Sequence, residues 1–287
     1  MRAAGGLPGV GPVAAAAAVH LVANAVSVTT WRRIAAVAGA RLTWPAAAWV
    51  WAASQLARYG LSGAQVAGRA VLGRRYGLTG LAGAVTALVE TAWQFAITAV
   101  LVLATVPWWL PGASDLRWVA LAALVPAAVL VVGSVAPMRL LAGAARIATW
   151  SPVRRVTGGR LATSVDGVTL SPATAARVTG PFLVNTALRV AAFLVLFAAV
   201  GGSPQRDAGI AVGAYAIGQV AGRVAVFAPG GVGAQEGATA LVLAPVLGGP
   251  VALLLVAVTR LAEVLGELAF LGLARWRRPV SSPARVR

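Results

Sequence analysis

An all-α, polytopic integral membrane protein is the fold class the sequence predicts, and three observations predict it. Of the 287 residues 59% are hydrophobic and 11% charged, where an ordinary soluble domain has about 25% charged. Apolar runs near the roughly 20 residues that span a bilayer recur along the chain and leave no stretch long enough for a separate soluble domain. The formal charge of +17 collects in the connections between those runs and at the C-terminal tail. Residues 1–287 therefore read as one membrane domain. It divides into a first repeat over about 11–136, a cytoplasmic loop over about 137–180, a second repeat over about 181–275 and a basic tail over 276–287.

All 24 basic residues are Arg. Cytoplasmic loops obeying the positive-inside rule account for that excess better than nucleic-acid binding does, and such loops also attract anionic lipid. The chain has no Cys and one His, His20. Disulfides, zinc clusters and thiol chemistry are thereby excluded, and the absence of Lys excludes a Walker A phosphate loop. No cofactor or metal is expected.

Taken in order, residues 11–30 form a first span, with Trp31 as an interfacial anchor and Arg32, Arg33 and Arg41 on the cytoplasmic side. Ala23-Asn24-Ala25 has the look of a cleavage site. One charge before the run, Arg2, against Arg32 and Arg33 after it favours an uncleaved helix with its N-terminus outside. Two short apolar pieces follow, one over about 44–59 and a second that starts after Gly60 to Gly63 and ends at Arg69, Arg74 and Arg75, with basic residues on both flanks. They read as a re-entrant hairpin from the cytoplasm, with an interfacial amphipathic pair as the alternative. Residues 78–105 make a long span with Glu90 and Gln94 near its middle, and Trp108-Trp109 suit the outer interface. Residues 116–136 return to the inside, where the basic segment 138–177 begins with a stretch suited to a surface helix. Residues 181–200 go outward with Asn185 and Arg189 one turn apart. The region 210–249 is broken at Pro229 to Gly233 and reads as a second, opposed re-entrant hairpin. The last span, 251–273, precedes the basic tail, so the C-terminus lies inside.

An offset of 170 residues superposes Gly60-Leu61-Ser62-Gly63-Ala64-Gln65 on Gly230-Gly231-Val232-Gly233-Ala234-Gln235, span 11–30 on 181–200 and span 78–105 on 248–275. Inverted repeats with helices broken at matching positions point to a transport site near the membrane midplane. The same offset sets Glu90 on Arg260, which predicts a pairing of those two through the repeat interface. Arg260, Glu263 and Glu267 lie at i, i+3 and i+7, hence on one helix face that must look into the bundle, because charge facing lipid is costly. Glu90, Glu236, Arg260, Glu263 and Glu267 are read as a gate or proton-coupled network; an ion-pair network that only holds helices together is the competing reading.

Arg58, Arg69, Arg189 and Arg223 are candidate substrate-binding residues, because a guanidinium grips phosphate in a bidentate fork and keeps its charge. For Arg58 and Arg69 ordinary inside-loop charge is an equal alternative. Gly230, Gly231 and Gly233 join them, since helix N-termini after Gly63 and Gly233 would aim backbone N–H groups at the cavity. Glu236, in the first turn after Gly233, suits a capping role as well. His20 reads as a core or cavity histidine, and the tryptophans as interfacial belts.

At Pro229-Gly230-Gly231-Val232-Gly233-Ala234-Gln235-Glu236 the chain resembles the lysylphosphatidylglycerol synthase transmembrane family, the flippase-like domain proteins. Arg58-Tyr59 with Arg69, the mid-span Glu90 and the Arg260 helix support the resemblance. The first turn has Gly60 where members often have proline, and Gln235 stands where they commonly have a basic residue. The resemblance implies a lipid-translocating module of the bacterial cytoplasmic membrane, similar to the membrane domain of multiple peptide resistance factors. Its expected partner is a membrane lipid with an anionic head group, together with a second copy of the chain or a separate lipid-modifying enzyme. A membrane enzyme or accessory subunit of lipid or polyprenyl-phosphate modification is the alternative function.

Overall fold

The computed structural model describes residues 8–60, 63–110, 117, 172–225 and 229–277. Its elements are all helical. The span expected over 116–136, most of the basic segment 138–177 and the end of the tail lie outside the described residues.

Eight helices and two short 3-10 turns make up the described part: α1 (Val10–Val37), α2 (Trp44–Ala57), α3 (Ala64–Gly73) followed by the 3-10 turn Arg74–Tyr76, α4 (Gly80–Trp109), α5 (Pro172–Ala199), α6 (Pro204–Val224) followed by the 3-10 turn Pro229–Gly231, α7 (Ala234–Leu247) and α8 (Gly249–Trp276). The starts follow local chemistry. Pro45 and Pro204 occupy first-turn positions of α2 and α6, where a missing N–H costs nothing. At α4 the Thr79 hydroxyl accepts the Ala82 N–H at 3.2 Å. Gly63 (φ 79°) and Gly233 (φ 87°) stand before α3 and α7 in backbone that only glycine adopts freely.

Among the described residues three helices are long and apolar enough to cross a membrane: Val10–Val37, Gly80–Trp109 and Ala176–Ala199. The fourth long helix, α8, has 28 residues and carries Arg260, Glu263 and Glu267. α1 runs seven residues beyond the expected end of its span, so Trp31, Arg32 and Arg33 all lie within the helix.

The order long, short, short, long occurs twice, with lengths 28, 14, 10 and 30 residues and then 28, 21, 14 and 28. α3 and α7 begin at Ala64 and Ala234, 170 residues apart as the sequence offset requires, but α1 and α5 begin at Val10 and Pro172, 162 apart. The packing follows the same division. α2 packs on α3 as α6 does on α7, α3 on α4 as α7 does on α8, and α2 crosses to α8 as α6 crosses to α4, while α1 lies against α5.

Three apolar clusters hold these contacts. Phe193, Leu196 and Phe197 of α5 meet Leu243 of α7 and Leu255 of α8. Trp31, Val50 and Trp51 meet Phe270, which stands edge-on to Trp51 with centroids 6.0 Å apart. Ile34, Val89 and Trp93 meet Phe182, stacked on Trp93 at 6.4 Å. The tryptophans thus divide. Trp108 and Trp276 are exposed, but Trp31, Trp51 and Trp93 are buried. Each of those three donates its indole N–H to a buried polar group, Thr86, Glu90 and Thr179 respectively. This corrects the interfacial assignment of Trp31: its ring is fully buried, and its N–H is spent on Thr86 of α4.

Candidate functional site

Where the two halves meet, a cavity of about 340 Å³ is lined, among the described residues, by Arg58, Arg69, Arg189, Arg223 and Arg260 and by two acids, Glu90 and Glu263. Amides and hydroxyls complete it, among them Gln55, Gln65, Gln94, Gln219 and Gln235. Burying this many guanidinium groups is unfavourable unless carboxylates answer them. Four of the chain's seven acidic residues do so: Glu90, Glu236, Glu263 and Glu267.

The largest group of pairs centres on Glu263. It accepts Arg189 Nη1 at 3.2 Å and Arg260 Nη1 at 3.0 Å, and Arg58 Nη2 lies at 3.7 Å. These three arginines come from α5, α8 and the end of α2. Arg58 is held more tightly by Glu267, at 2.5 Å, and the Tyr59 hydroxyl donates to the other Glu267 oxygen at 3.1 Å. Arg260 also lies 3.5 Å from Glu236 and donates to the Gly230 carbonyl at 2.8 Å. The Tyr59 ring sits between two cations, 5.0 Å from Arg58 and 5.1 Å from Arg260. The ends of the two broken turns therefore touch. A Cβ on Gly230 would come within 3.2 Å of the Tyr59 ring and 3.3 Å of Arg260, at a φ of 62°.

α5 is oriented against α1 by side-chain amides. Asn185 donates to Ala23 O at 2.6 Å and to Ser27 Oγ at 2.8 Å, and Arg189 donates to Asn185 Oδ1 and to Asn24 Oδ1. Small residues at Ala23 and Ser27 let the helices come this close.

Arg69 and Glu90 form a separate pair. Both are almost wholly buried, bonded to each other, and enclosed by Trp51, whose N–H reaches Glu90 at 3.1 Å, by Ser54 and by the Trp31 ring. Gly83 permits this approach of α3 and α4, because a Cβ there would lie 2.7 Å from Arg69 O.

The candidate residues are thus placed as follows. Arg58, Arg69, Arg189, Arg223, Gly230, Gly231, Glu90, Arg260 and Glu263 line the cavity; Glu267 stands behind Arg58; Gly233 and Glu236 lie at the start of α7. The predicted pairing of Glu90 with Arg260 is not made. α3 folds back on α4 and delivers Arg69 to Glu90 first, which leaves Arg260 to the acids of its own half. Nor are the α7 amides all open to a ligand, because the Glu236 carboxylate accepts the Gly233 N–H at 2.7 Å. Arg223 pairs with no carboxylate among the described residues and donates only to Gln219 O, at 3.0 Å. His20 is buried beside this network with both ring nitrogens unpartnered.

Sequence reasoning did not assign Trp51 or Asn24 to the site, and it quoted Tyr59, Gln65 and Gln235 only as parts of motifs without giving them a role. The glutamines were discoverable, since they are equivalent under the 170-residue offset and each follows a left-handed glycine by two positions. Comparison with protein-family models, with curated proteins and with solved structures finds no match to this chain.

Proposed function

We propose that the protein is a polytopic membrane protein that translocates a lipid with an anionic head group, using the arginine-lined cavity as its substrate site. The observation that carries this reading is the cavity itself: among the described residues five arginines line it, Arg223 with no carboxylate partner, where two interrupted helices meet beside α4 and α5, two of the helices of membrane-spanning length. Interrupted backbone at membrane depth is tolerated where it is buried or lines a polar cavity. Guanidinium groups in such a place are expensive and suit a ligand that returns negative charge. The duplicated helix order, with broken turns in corresponding positions, agrees with two inverted repeats forming opposed re-entrant hairpins around the cavity. In this reading Arg58, Tyr59, Glu263 and Glu267 close the two halves on one another, and Arg189 and Arg260 connect that closure to α5 and α8.

The test is reconstitution of the purified chain in liposomes carrying a fluorescent analogue of phosphatidylglycerol, with a quencher confined to the outside. Protein-dependent loss of the protected inner-leaflet signal is expected. An Arg58→Gln and Glu267→Gln double variant should move lipid at a clearly altered rate. Equal protection with and without protein, for both phospholipid and polyprenyl-phosphate analogues, would exclude translocation.

A further inference from the structure

Beside the arginine-lined cavity lies a second, far smaller chamber of about 20 Å³, within the second half, where α5, α6, α7 and α8 come together. An ordered water needs about 10–15 Å³ and two to four polar partners, so one water fits. Close packing builds the walls. Gly218 seats α6 against α7, since a Cβ there would lie 2.0 Å from Thr239 Oγ1 and 2.9 Å from Gln235 O. Phe193 of α5 lies tilted on the Tyr215 ring of α6 with centroids 5.4 Å apart, and α8 contributes Thr259, Arg260 and Glu263.

The polar groups of these walls divide into donors and acceptors. Thr239 spends its proton on Gln235 O at 2.9 Å and Thr259 spends its own on Leu255 O at 2.8 Å, so each has lone pairs left to offer. Glu236 and Glu263 accept as well. Arg260 donates but is engaged by both acids, at 3.5 Å from Glu236 and 3.0 Å from Glu263. Tyr215 is 7% exposed, and its hydroxyl donates to no acceptor among the described residues. The chamber therefore has one uncommitted donor and a surplus of acceptors. A buried hydroxyl left so is unfavourable. The missing partner must accept one proton and donate others. A cation in that place would stand beside the Arg260 guanidinium, and an anion beside two carboxylates; a neutral water meets neither objection.

We propose that the chamber is a hydration site, whose water accepts from the Tyr215 hydroxyl and donates to acceptors among Glu236, Glu263, Thr239 and Thr259. The water makes Tyr215 a positioning residue for the acids that join the two halves. α2 reaches those acids through Arg58, α5 through Arg189 and α8 through Arg260, and α7 supplies Glu236. No described side chain of α6 bonds to them. Through the water α6 enters the same group, and a change in how Glu263 divides itself among its arginines is transmitted to α6. The inference does not depend on what the larger cavity carries.

The experiment is water-edited solid-state NMR of the full chain in lipid bilayers, with carbon-13 at Cζ of its three tyrosines, Tyr59, Tyr76 and Tyr215. The signal lost in Tyr215→Phe assigns that residue. Magnetisation from water should reach the Tyr215 carbon at least threefold faster than it reaches the ring carbons of buried phenylalanines. Tyr215 also lines the larger cavity, so the deciding variants are Thr259→Val and Thr239→Val, which keep the shape and remove a hydroxyl from the small chamber alone. Each should slow the transfer several-fold. Glu263→Gln should move the Tyr215 resonance in the wild-type background and much less in the Thr259→Val background, where the water is lost. Transfer no faster than to the phenylalanines means a dry chamber and overturns the hydration site. Transfer unchanged in both threonine variants puts the water in the larger cavity and overturns it too. Equal Glu263→Gln shifts in the two backgrounds overturn the positioning role, and a Tyr215 signal that moves when sodium chloride replaces choline chloride overturns the choice of a neutral guest. None of these readings changes with the outcome of the translocation assay.

Discussion

The two halves place an arginine and a glutamate to opposite effect. In the first half Arg69 and Glu90 have only each other as charged partners, with Trp51, Gln94 and Ser54 completing their hydrogen bonds. They stand at the cavity wall among Trp31, Trp51 and Ser54, and each is about 2% exposed. In the second half Arg260, equivalent to Glu90 under the 170-residue offset, meets Glu236, Glu263, the Gly230 carbonyl and the Tyr59 ring, and Glu263 in turn serves three arginines. An exclusive pair fixes two helices to one another. A shared acid lets several helices keep a partner while they move. The first half is thus read as the anchor of the cavity and the second as its adjustable side.

The contrast is broken most directly at Glu90. Glu90→Ala leaves Arg69 buried and unpaired, and about 3–5 kcal/mol of stability should be lost, seen as a large fall in melting temperature in detergent. Arg69→Met with Glu90→Leu should recover most of it, since removing both charges removes the desolvation penalty as well. The corresponding truncation in the second half, Glu263→Ala, should cost less than Glu90→Ala, because Arg58 retains Glu267 and Arg260 retains Glu236. Equal losses at the two sites would abolish the distinction.

Smaller effects separate the two turns. Gly231→Ala should destabilise by about 1–3 kcal/mol, since its φ is 71° and a Cβ would lie 2.8 Å from Gly222. Gly63→Ala has a similar φ of 79° but open space around it and should cost about 1 kcal/mol. Thermal unfolding of the two variants side by side reads the difference. At the bottom of the scale, Glu236→Gln should cost less than about 1 kcal/mol, because the amide oxygen can still accept the Gly233 N–H.

Much of the second half was legible in the sequence. The spacing of Arg260, Glu263 and Glu267 fixes one helical face whatever the tertiary fold, and Pro229 with its glycines can only interrupt a helix. The start of α7 at Ala234 follows from the same residues. The partner of Glu90 was not legible from the offset, which knows positions and not contacts. The signal lay closer in sequence: a short helix, a tight connection and a long helix form an antiparallel hairpin, and Arg69 is the buried cation that hairpin carries toward Glu90. The buried tryptophans Trp31, Trp51 and Trp93 were misjudged for a different reason. Number and spacing cannot separate an indole at a lipid boundary from one that fills a helix contact, and what decides is whether a buried acceptor faces its N–H, as Thr86 faces Trp31. Tyr59 escaped because its neighbours, Arg260 and Glu267, lie some 200 positions away, with its hydroxyl bond to Glu267 spanning 208 residues.

The sharing of Glu263 also has a kinetic meaning. Separating an isolated buried ion pair would add about 3–5 kcal/mol to a barrier, a slowing of roughly a hundredfold to several thousandfold. An acid already in reach of arginines on three different helix segments can tighten on one as it loosens on another, so its charge is never left bare along the path. A rearrangement that kept Arg69 and Glu90 together and only redistributed the arginines of Glu263 would avoid that barrier.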